Sequence, residues 1–260
     1  MGFLTDVTAR IRRSLDDHPP EVGPLLTRAL LMPPARDFTA AIRTGTPAVI
    51  AEVKRSSPSA GSIADDADPV LTARAYAAGG AAAISVLTEP SHFHGSLLDL
   101  QATRAAVDLP LLRKDFLVHP GQVIEARANG ADAVLLITAC LSDAELASML
   151  AAASDLGLGV LLETHSDADQ ERALQTDALM IGVNARDLET LDVDIEAAFV
   201  RLGRIPQDRV IVMESGISSR AQAEKAMRAG ASAILVGEAL MRAADPAAML
   251  RELRGEESDV

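Results

Sequence analysis

The sequence predicts an α/β fold of one kind, a (β/α)8 TIM barrel with an N-terminal helical extension. Three observations carry this. After about residue 46, eight short aliphatic runs alternate with helical stretches. The segments Gly80-Ala81-Ala82-Ala83-Ile84, Gly130-Ala131-Asp132-Ala133-Val134 and Gly230-Ala231-Ser232-Ala233-Ile234 repeat one helix-to-strand joint. The length of 260 residues suits a single barrel, typically ~250 residues. An open doubly wound sheet is the alternative. It usually has fewer strands and a Gly-x-Gly-x-x-Gly turn after the first, a turn this chain lacks there.

Residues 1–45 lie outside the repeat. Phe3, Leu4, Val7, Ile11 and Leu15 recur at helical spacing with charges between them, which is unlike a signal peptide. His18-Pro19-Pro20 and Met32-Pro33-Pro34 break the segment into two or three helices. It is too short for a core of its own, so it is expected to pack on a catalytic barrel formed by residues 46–260. The strands are expected at 48–54, 82–88, 109–114, 132–138, 158–163, 178–184, 209–214 and 232–237. Their Val, Ile and Leu do not strictly alternate with polar residues, as suits strands buried on both faces. Seven helices separate the strands and one follows. Those at 69–78 and 120–129 begin with proline, which fits the first helical turn. Those at 142–156 and 218–229 begin with a serine at the N-cap. Gly80, Gly130 and Gly230 suit the left-handed residue that ends a helix.

Composition excludes several functions. Hydrophobic residues make up 48% and the net charge is -13, a poor match to nucleic-acid or acidic-membrane binding. No apolar run reaches the ~18 residues of a membrane span. The single cysteine, Cys140, allows no disulfide within the chain and reads as a small core residue. A cytoplasmic protein, monomeric or weakly dimeric, is expected. Its cations are lopsided: lysine occurs only at 54, 114 and 225. Arginine keeps its proton at neutral pH, whereas a desolvated lysine can release one. Lys225, mid-helix beside Glu224, reads as a solvated surface residue.

Barrel chemistry sits at the C-terminal ends of the strands. Those ends carry Glu52 and Lys54, Lys114, Glu163, Asn184, and Glu214 with Ser215. Charges that close apolar strands suit acid–base chemistry better than stabilisation, because buried ion pairs stabilise weakly. Ser215-Gly216 and Gly237-Glu238 follow the last two strands, where barrels commonly bind phosphate. Ser56, Ser57 and Ser59 add hydroxyls after the first. Lys114 would also suit a Schiff-base nucleophile, and a barrel that only binds phosphorylated ligands is a further alternative. His92 and His94 flank Phe93 without an evident third metal ligand.

These residues resemble a known family. Ile50-Ala51-Glu52-Val53-Lys54-Arg55-Ser56-Ser57-Pro58-Ser59, Ile84-Ser85-Val86-Leu87-Thr88-Glu89 with Phe93-His94-Gly95-Ser96, Leu112-Arg113-Lys114-Asp115-Phe116, Glu163 with His165, Gly182-Val183-Asn184-Ala185-Arg186-Asp187-Leu188, Glu214-Ser215-Gly216-Ile217 and Leu235-Val236-Gly237-Glu238 occur in that order. The set is similar to indole-3-glycerol-phosphate synthase of tryptophan biosynthesis, over about residues 48–250. The resemblance implies a small phosphorylated substrate, 1-(2-carboxyphenylamino)-1-deoxyribulose 5-phosphate, and no metal or organic cofactor. It implies Lys114 as general acid of ring closure and Glu163 as base or proton partner in dehydration. Lys54 would contact the substrate carboxylate, and the division of acid steps between the two lysines stays open. Glu52 and Asn184 would orient these groups, and Arg186 would help hold the carboxylate. Ser57, Gly216, Gly237 and Glu238 would hold phosphate beside Glu214 and Ser215. Phe93, Phe116, Pro58, Leu135, Leu188 and Leu235 would line the slot for the aromatic ring. The mouth is expected to be locally positive. The N-terminal segment, with its double prolines and no lysine, matches the family less well.

Overall fold

The computed structural model describes residues 2–43 and 47–256. The boundary expected between residues 45 and 46 lies outside the described residues. Eight parallel strands close into a barrel: β1 (Ala48–Val53), β2 (Ala83–Leu87), β3 (Leu111–Lys114), β4 (Ala133–Ile137), β5 (Gly159–Thr164), β6 (Met180–Asn184), β7 (Val210–Glu214) and β8 (Ala233–Val236). Each strand pairs in parallel with its chain neighbours, and β8 pairs with β1 to close the ring. Every strand lies within its expected run except β5, which continues one residue further, to Thr164.

Three helices precede the barrel: α1 (Phe3–Asp17), α2 (Val22–Leu31) and α3 (Phe38–Ala41). The double prolines occupy the breaks between them. Phe38 and Ile42, both buried, join the cluster inside the barrel. Phe38 lies beside Gly159, the first residue of β5, so α3 fills the N-terminal end of the barrel.

Seven helices fill the crossovers: α4 (Pro69–Ala78), α5 (Leu97–Ala106), α6 (Pro120–Ala128), α7 (Asp143–Asp155), α8 (Asp167–Leu174), α9 (Ile195–Leu202) and α10 (Arg220–Arg228). Among the described residues two helices follow β8, not the one expected: the single turn α11 (Glu238–Arg242) and α12 (Pro246–Arg254). Ser142 caps α7 as expected, by accepting from the Glu145 amide. The cap of α10 is Ser219 and not Ser218: the Ser219 hydroxyl accepts from the Gln222 amide, while Ser218 donates to the Gln222 side chain. Gly80, Gly130 and Gly230 have φ of 80°, 94° and 112°, the left-handed conformation that ends a helix. A short hairpin after β1, Ser56–Ser57 against Gly61–Ser62, was not anticipated. Cys140 ends a 3-10 turn and is only partly buried, a looser setting than the core position expected of it. Lys225 is half-exposed, but it bridges to Glu196 at 2.6 Å and lies over the Phe199 ring. No described helix is long and apolar enough to cross a membrane.

The strand period of two decides which side chains point inward. Val49, Ala51 and Val53 pack against the outer helices. Ala48 and Ile50 face inward, and Glu52 is next in that series. The same count runs from Leu112 to Lys114, from Leu161 to Glu163, from Met180 through Gly182 to Asn184, from Val212 to Glu214, and from Leu235 to Gly237. Aliphatic layers thus fill the barrel from below and a polar layer closes it.

Candidate active site

All eighteen candidate site residues line one cavity of about 420 Å³ at the C-terminal face of the barrel. At its floor the Lys114 ammonium lies 3.2 Å from Glu163 Oε2 and 3.6 Å from Glu214 Oε2. Lys54 Nζ lies 2.7 Å from Glu52 Oε1. The Asn184 amide donates to Glu163 Oε1 at 3.1 Å, and His165 Nε2 lies 2.8 Å from the same oxygen. Glu163 is fully buried and Glu214 is 1% exposed.

Charge states follow from this geometry. Burial acts to lower the Lys114 pKa, but the carboxyl groups of Glu163, Glu214 and Glu52 outweigh it and hold the ammonium above its usual range. Burial acts to raise Glu163. Lys114, then His165 and Asn184, outweigh that and hold it ionised below the usual carboxylate range. Glu214 goes the other way: burial first, and then the Glu163 carboxylate, push it well above that range. Neither oxygen of Glu214 has a hydrogen-bond partner among the described residues. The two neighbouring carboxyl groups are therefore pushed apart, Glu163 toward the ionised form and Glu214 toward the protonated one, with one ammonium between them.

Two glycines make this layer fit. A Cβ on Gly182 would come 2.2 Å from Glu214 Oε1, and one on Gly237 would come 2.2 Å from Glu52 Oε1. Gly237 thus clears room for a carboxylate of the chain itself, beyond any approach of a bound anion. The phosphate end of the cavity is built from turns. Ser215 and Gly216 have φ of 62° and 79°; the conformation is costly for Ser215, which has a side chain, and free of that cost for Gly216. The Ser57 hydroxyl accepts from the Ala60 amide and lies 3.5 Å from the Ser59 hydroxyl.

The apolar side of the cavity is aromatic. Phe93 and Phe116 lie with ring centroids 6.2 Å apart. A third ring escaped the sequence reading: Phe3 of α1 meets Phe116 edge-on at 6.0 Å and lines the same cavity. The Leu4 amide donates to the Leu188 carbonyl, and Thr5 Oγ1 donates to Glu189. In the sequence Phe3 is one apolar residue among five at helical spacing, and its rarity as one of five phenylalanines is the signal that sets it apart. The Glu89 side chain accepts from the His92 and Phe93 amides and from Arg10, which fixes the Phe93 loop. The Arg186 guanidinium donates to the Leu191 carbonyl at 2.7 Å.

The expected positive mouth is not found by formal count. Lys54, Lys114, Arg186 and Arg242 face Glu52, Asp115, Glu163, Glu214 and Glu238 in the cavity wall. The upward shift of Glu214 acts to bring the two sets level. Among the described residues no group of three or more His, Cys, Asp or Glu is arranged to hold a metal.

The family model for indole-3-glycerol phosphate synthase matches residues 5–253, and so takes in most of the N-terminal extension. A protein of that name from Acidithiobacillus ferrooxidans is 47% identical over 96% of this chain and 98% of its own length. One from Nocardioides is 48% identical over 99% and 100%. Among solved structures, 3-hexulose-6-phosphate synthase of Salmonella typhimurium superposes with a TM-score of 0.63 at 15% identity, covering 80% of this chain and 97% of that one. The tryptophan synthase α-subunit of Pyrococcus furiosus does so at 0.60 and 15%, covering 80% and 98%. Identities this low speak for the barrel fold alone.

Proposed function

The chain belongs to the indole-3-glycerol phosphate synthase family, and from that premise we propose that it closes the pyrrole ring of 1-(2-carboxyphenylamino)-1-deoxyribulose 5-phosphate to form indole-3-glycerol phosphate. Carbon dioxide and water leave, which makes the reaction that of a carboxy-lyase in tryptophan biosynthesis. The observation that carries this reading is the Lys114–Glu163 pair, 3.2 Å apart, at the floor of a cavity with an aromatic side and a loop side.

In this reading Lys114 donates its proton to the ketone oxygen while the carboxyl-bearing ring carbon attacks the carbonyl carbon. The aromatic ring lies among Phe93, Phe116, Leu135, Leu188, Leu235 and Pro58. Lys54 and Arg186 hold the carboxylate until carbon dioxide departs. Glu163 then takes the proton from the carbon of the new ring while one of the two lysines, Lys54 or Lys114, protonates the departing hydroxyl, which leaves as water. Asn184 and Glu52 hold Glu163 and Lys54 in place. Backbone N–H groups at Gly216, Gly237 and Glu238, with the Ser57 hydroxyl, anchor phosphate beside Glu214 and Ser215. Positioned acids and bases contribute ~10²–10⁴-fold each, and the anchored phosphate supplies orientation. Residues 1–45 would belong to the same catalytic unit, working in the cytoplasm as a monomer or weak homodimer.

A Schiff-base mechanism needs a free amine, and Lys114 is held as the ammonium. Borohydride trapping with a sugar phosphate should leave no adduct. The direct test is incubation with the carboxyphenylamino-deoxyribulose phosphate while following indole fluorescence. No rise in fluorescence would refute the proposed activity.

A further inference from the structure

One buried titratable group beside the site has no part in the mechanism above. His165 lies two residues after Glu163, just past the end of β5. Its side chain is 9% exposed, and it does not line the cavity. Its backbone N–H donates to Asp169 at the start of α8, which fixes the chain at that point. The ring then lies behind Glu163, with Nε2 2.8 Å from Glu163 Oε1. Neither ring nitrogen has a hydrogen-bond partner of good geometry among the described residues, so the Nε2–Oε1 approach is a close charge contact of the ring against the carboxylate.

The two oxygens of Glu163 are therefore differently held. Oε1 faces two nitrogens of the protein, Asn184 Nδ2 at 3.1 Å and His165 Nε2 at 2.8 Å. Oε2 faces Lys114 at 3.2 Å, the side open to the cavity. A carboxylate whose rear oxygen is held by protein groups presents its front oxygen in one orientation. We propose that His165 is a positioning residue: its imidazole, with Nε2 in close contact with Glu163 Oε1, backs that oxygen from behind the strand, so that Oε2 stays aimed at the proton it removes. The proposal rests on Glu163 being the base of the reading above. It also assigns the tautomer. An unprotonated Nε2 would repel a carboxylate oxygen 2.8 Å away, so the proton belongs on Nε2.

Three carboxyl groups face or flank the imidazole: Glu163 on β5, Asp169 on α8 and Asp187 on the loop after β6. Asp187 lies below its ordinary range chiefly through the Thr190 and Glu189 amides, with a smaller part from His165. The pull of His165 on Glu163 is likewise downward, after burial and Lys114. Removing the imidazole should therefore raise the Glu163 pKa.

The test compares wild type, His165→Leu, His165→Gln and Glu163→Gln. In His165→Leu, kcat should fall at least tenfold with KM changed less than threefold, and the acid limb of the kcat–pH profile should move to higher pH. His165→Gln places an amide N–H near the position of Nε2, so it should restore most of kcat and return the limb. A structural role alone would leave the limb in place and gain nothing from glutamine. An unmoved limb in His165→Leu, or His165→Gln no better than His165→Leu, overturns the proposal. Wild-type turnover in Glu163→Gln would instead sink the reading of Glu163 as base, so the two failures are distinguishable. Should His165→Leu not fold, 15N NMR of the imidazoles decides. His165, assigned by its loss in His165→Gln, should carry its proton on Nε2 and shift in Glu163→Gln. A proton on Nδ1, or a resonance indifferent to Glu163, overturns the proposal equally.

Discussion

Replacing Lys114 separates its charge from its proton. In Lys114→Arg a cation remains beside Glu163 and Glu214, which the lysine now approaches at 3.2 Å and 3.6 Å. Guanidinium does not release a proton in this pH range. Turnover should fall ~10²–10⁴-fold, while the melting temperature changes little. Lys114→Met removes the charge as well. At 3.2 Å the Coulomb attraction is roughly 5 kcal/mol at an effective dielectric of about 20. Stranding the buried Glu163 should destabilise the fold by about 3–5 kcal/mol, or roughly 6–20 °C in melting temperature for a chain this long. The loss has a pH signature. Glu163 is lowered on folding, so its contribution is present above the ordinary value of 4.5 and fades as pH falls toward the folded value. Lys114 is raised on folding, so its contribution is present below 10.5 and fades as pH rises toward the folded value. The gap between wild type and Lys114→Met should therefore be flat between about 4.5 and 10.5 and shrink on both sides. Scanning calorimetry across pH, with turnover by indole fluorescence, measures both effects. Wild-type-like turnover in Lys114→Arg, or a melting gap as large at pH 2 as at pH 7, would refute the reasoning.

Three other outcomes follow from particular contacts. Gly237→Ala should displace Glu52, whose Oε1 would lie 2.2 Å from the new Cβ, and so break its 2.7 Å pair with Lys54; kcat/KM should drop, with a stability loss of about 1–3 kcal/mol, and unchanged values for both would contradict the clearance role. Phe3→Ala removes edge contacts to Phe116 and His92; at ~0.5–1.5 kcal/mol for an aromatic pair, KM should rise about 2–12-fold with kcat little changed, whereas an unchanged KM would remove α1 from the ring slot. Glu214→Gln replaces a carboxyl raised by burial and by Glu163, whose neutral form alone is at ease in the fold; calorimetry should show the variant gaining on wild type as pH rises above 4.5, and a gain that grew toward acid pH would mean that Glu214 is ionised.

The barrel was legible because its two periods are local. Strand runs, proline-led helices and the Gly80, Gly130 and Gly230 joints can each be read within ten residues. The polar layer was legible for the same reason: Glu52, Lys114, Glu163, Asn184 and Glu214 each follow an aliphatic strand in register. What escaped depends on contacts between distant segments. Gly182 and Gly237 look like turn or strand glycines until Glu214 and Glu52 are seen occupying the space of their missing Cβ atoms. Phe3 reads as a helix-face residue until α1 is placed over Leu188. The 56–62 hairpin and the single turn α11 are too short for any periodicity to show.

Charge state was the least legible property, because it belongs to pairs of residues. Glu163 and Glu214 are the same residue type, both buried, each on a strand that enters the same layer. Asn184, His165 and Lys114 all address Glu163, while Glu214 has only Lys114, at the longer distance of 3.6 Å. Two carboxylates this close cannot both ionise at modest cost, so the donors decide which one does. The fold thereby pushes two neighbouring glutamates toward opposite protonation states around one ammonium. The cost is a crowded, partly unsatisfied layer that a barrel selected for stability alone would fill with valine and leucine. The scarce lysine belongs to the same economy of charge. In the proposed mechanism one compact ammonium both neutralises Glu163 and gives up a proton, where the otherwise ubiquitous arginine could do only the first.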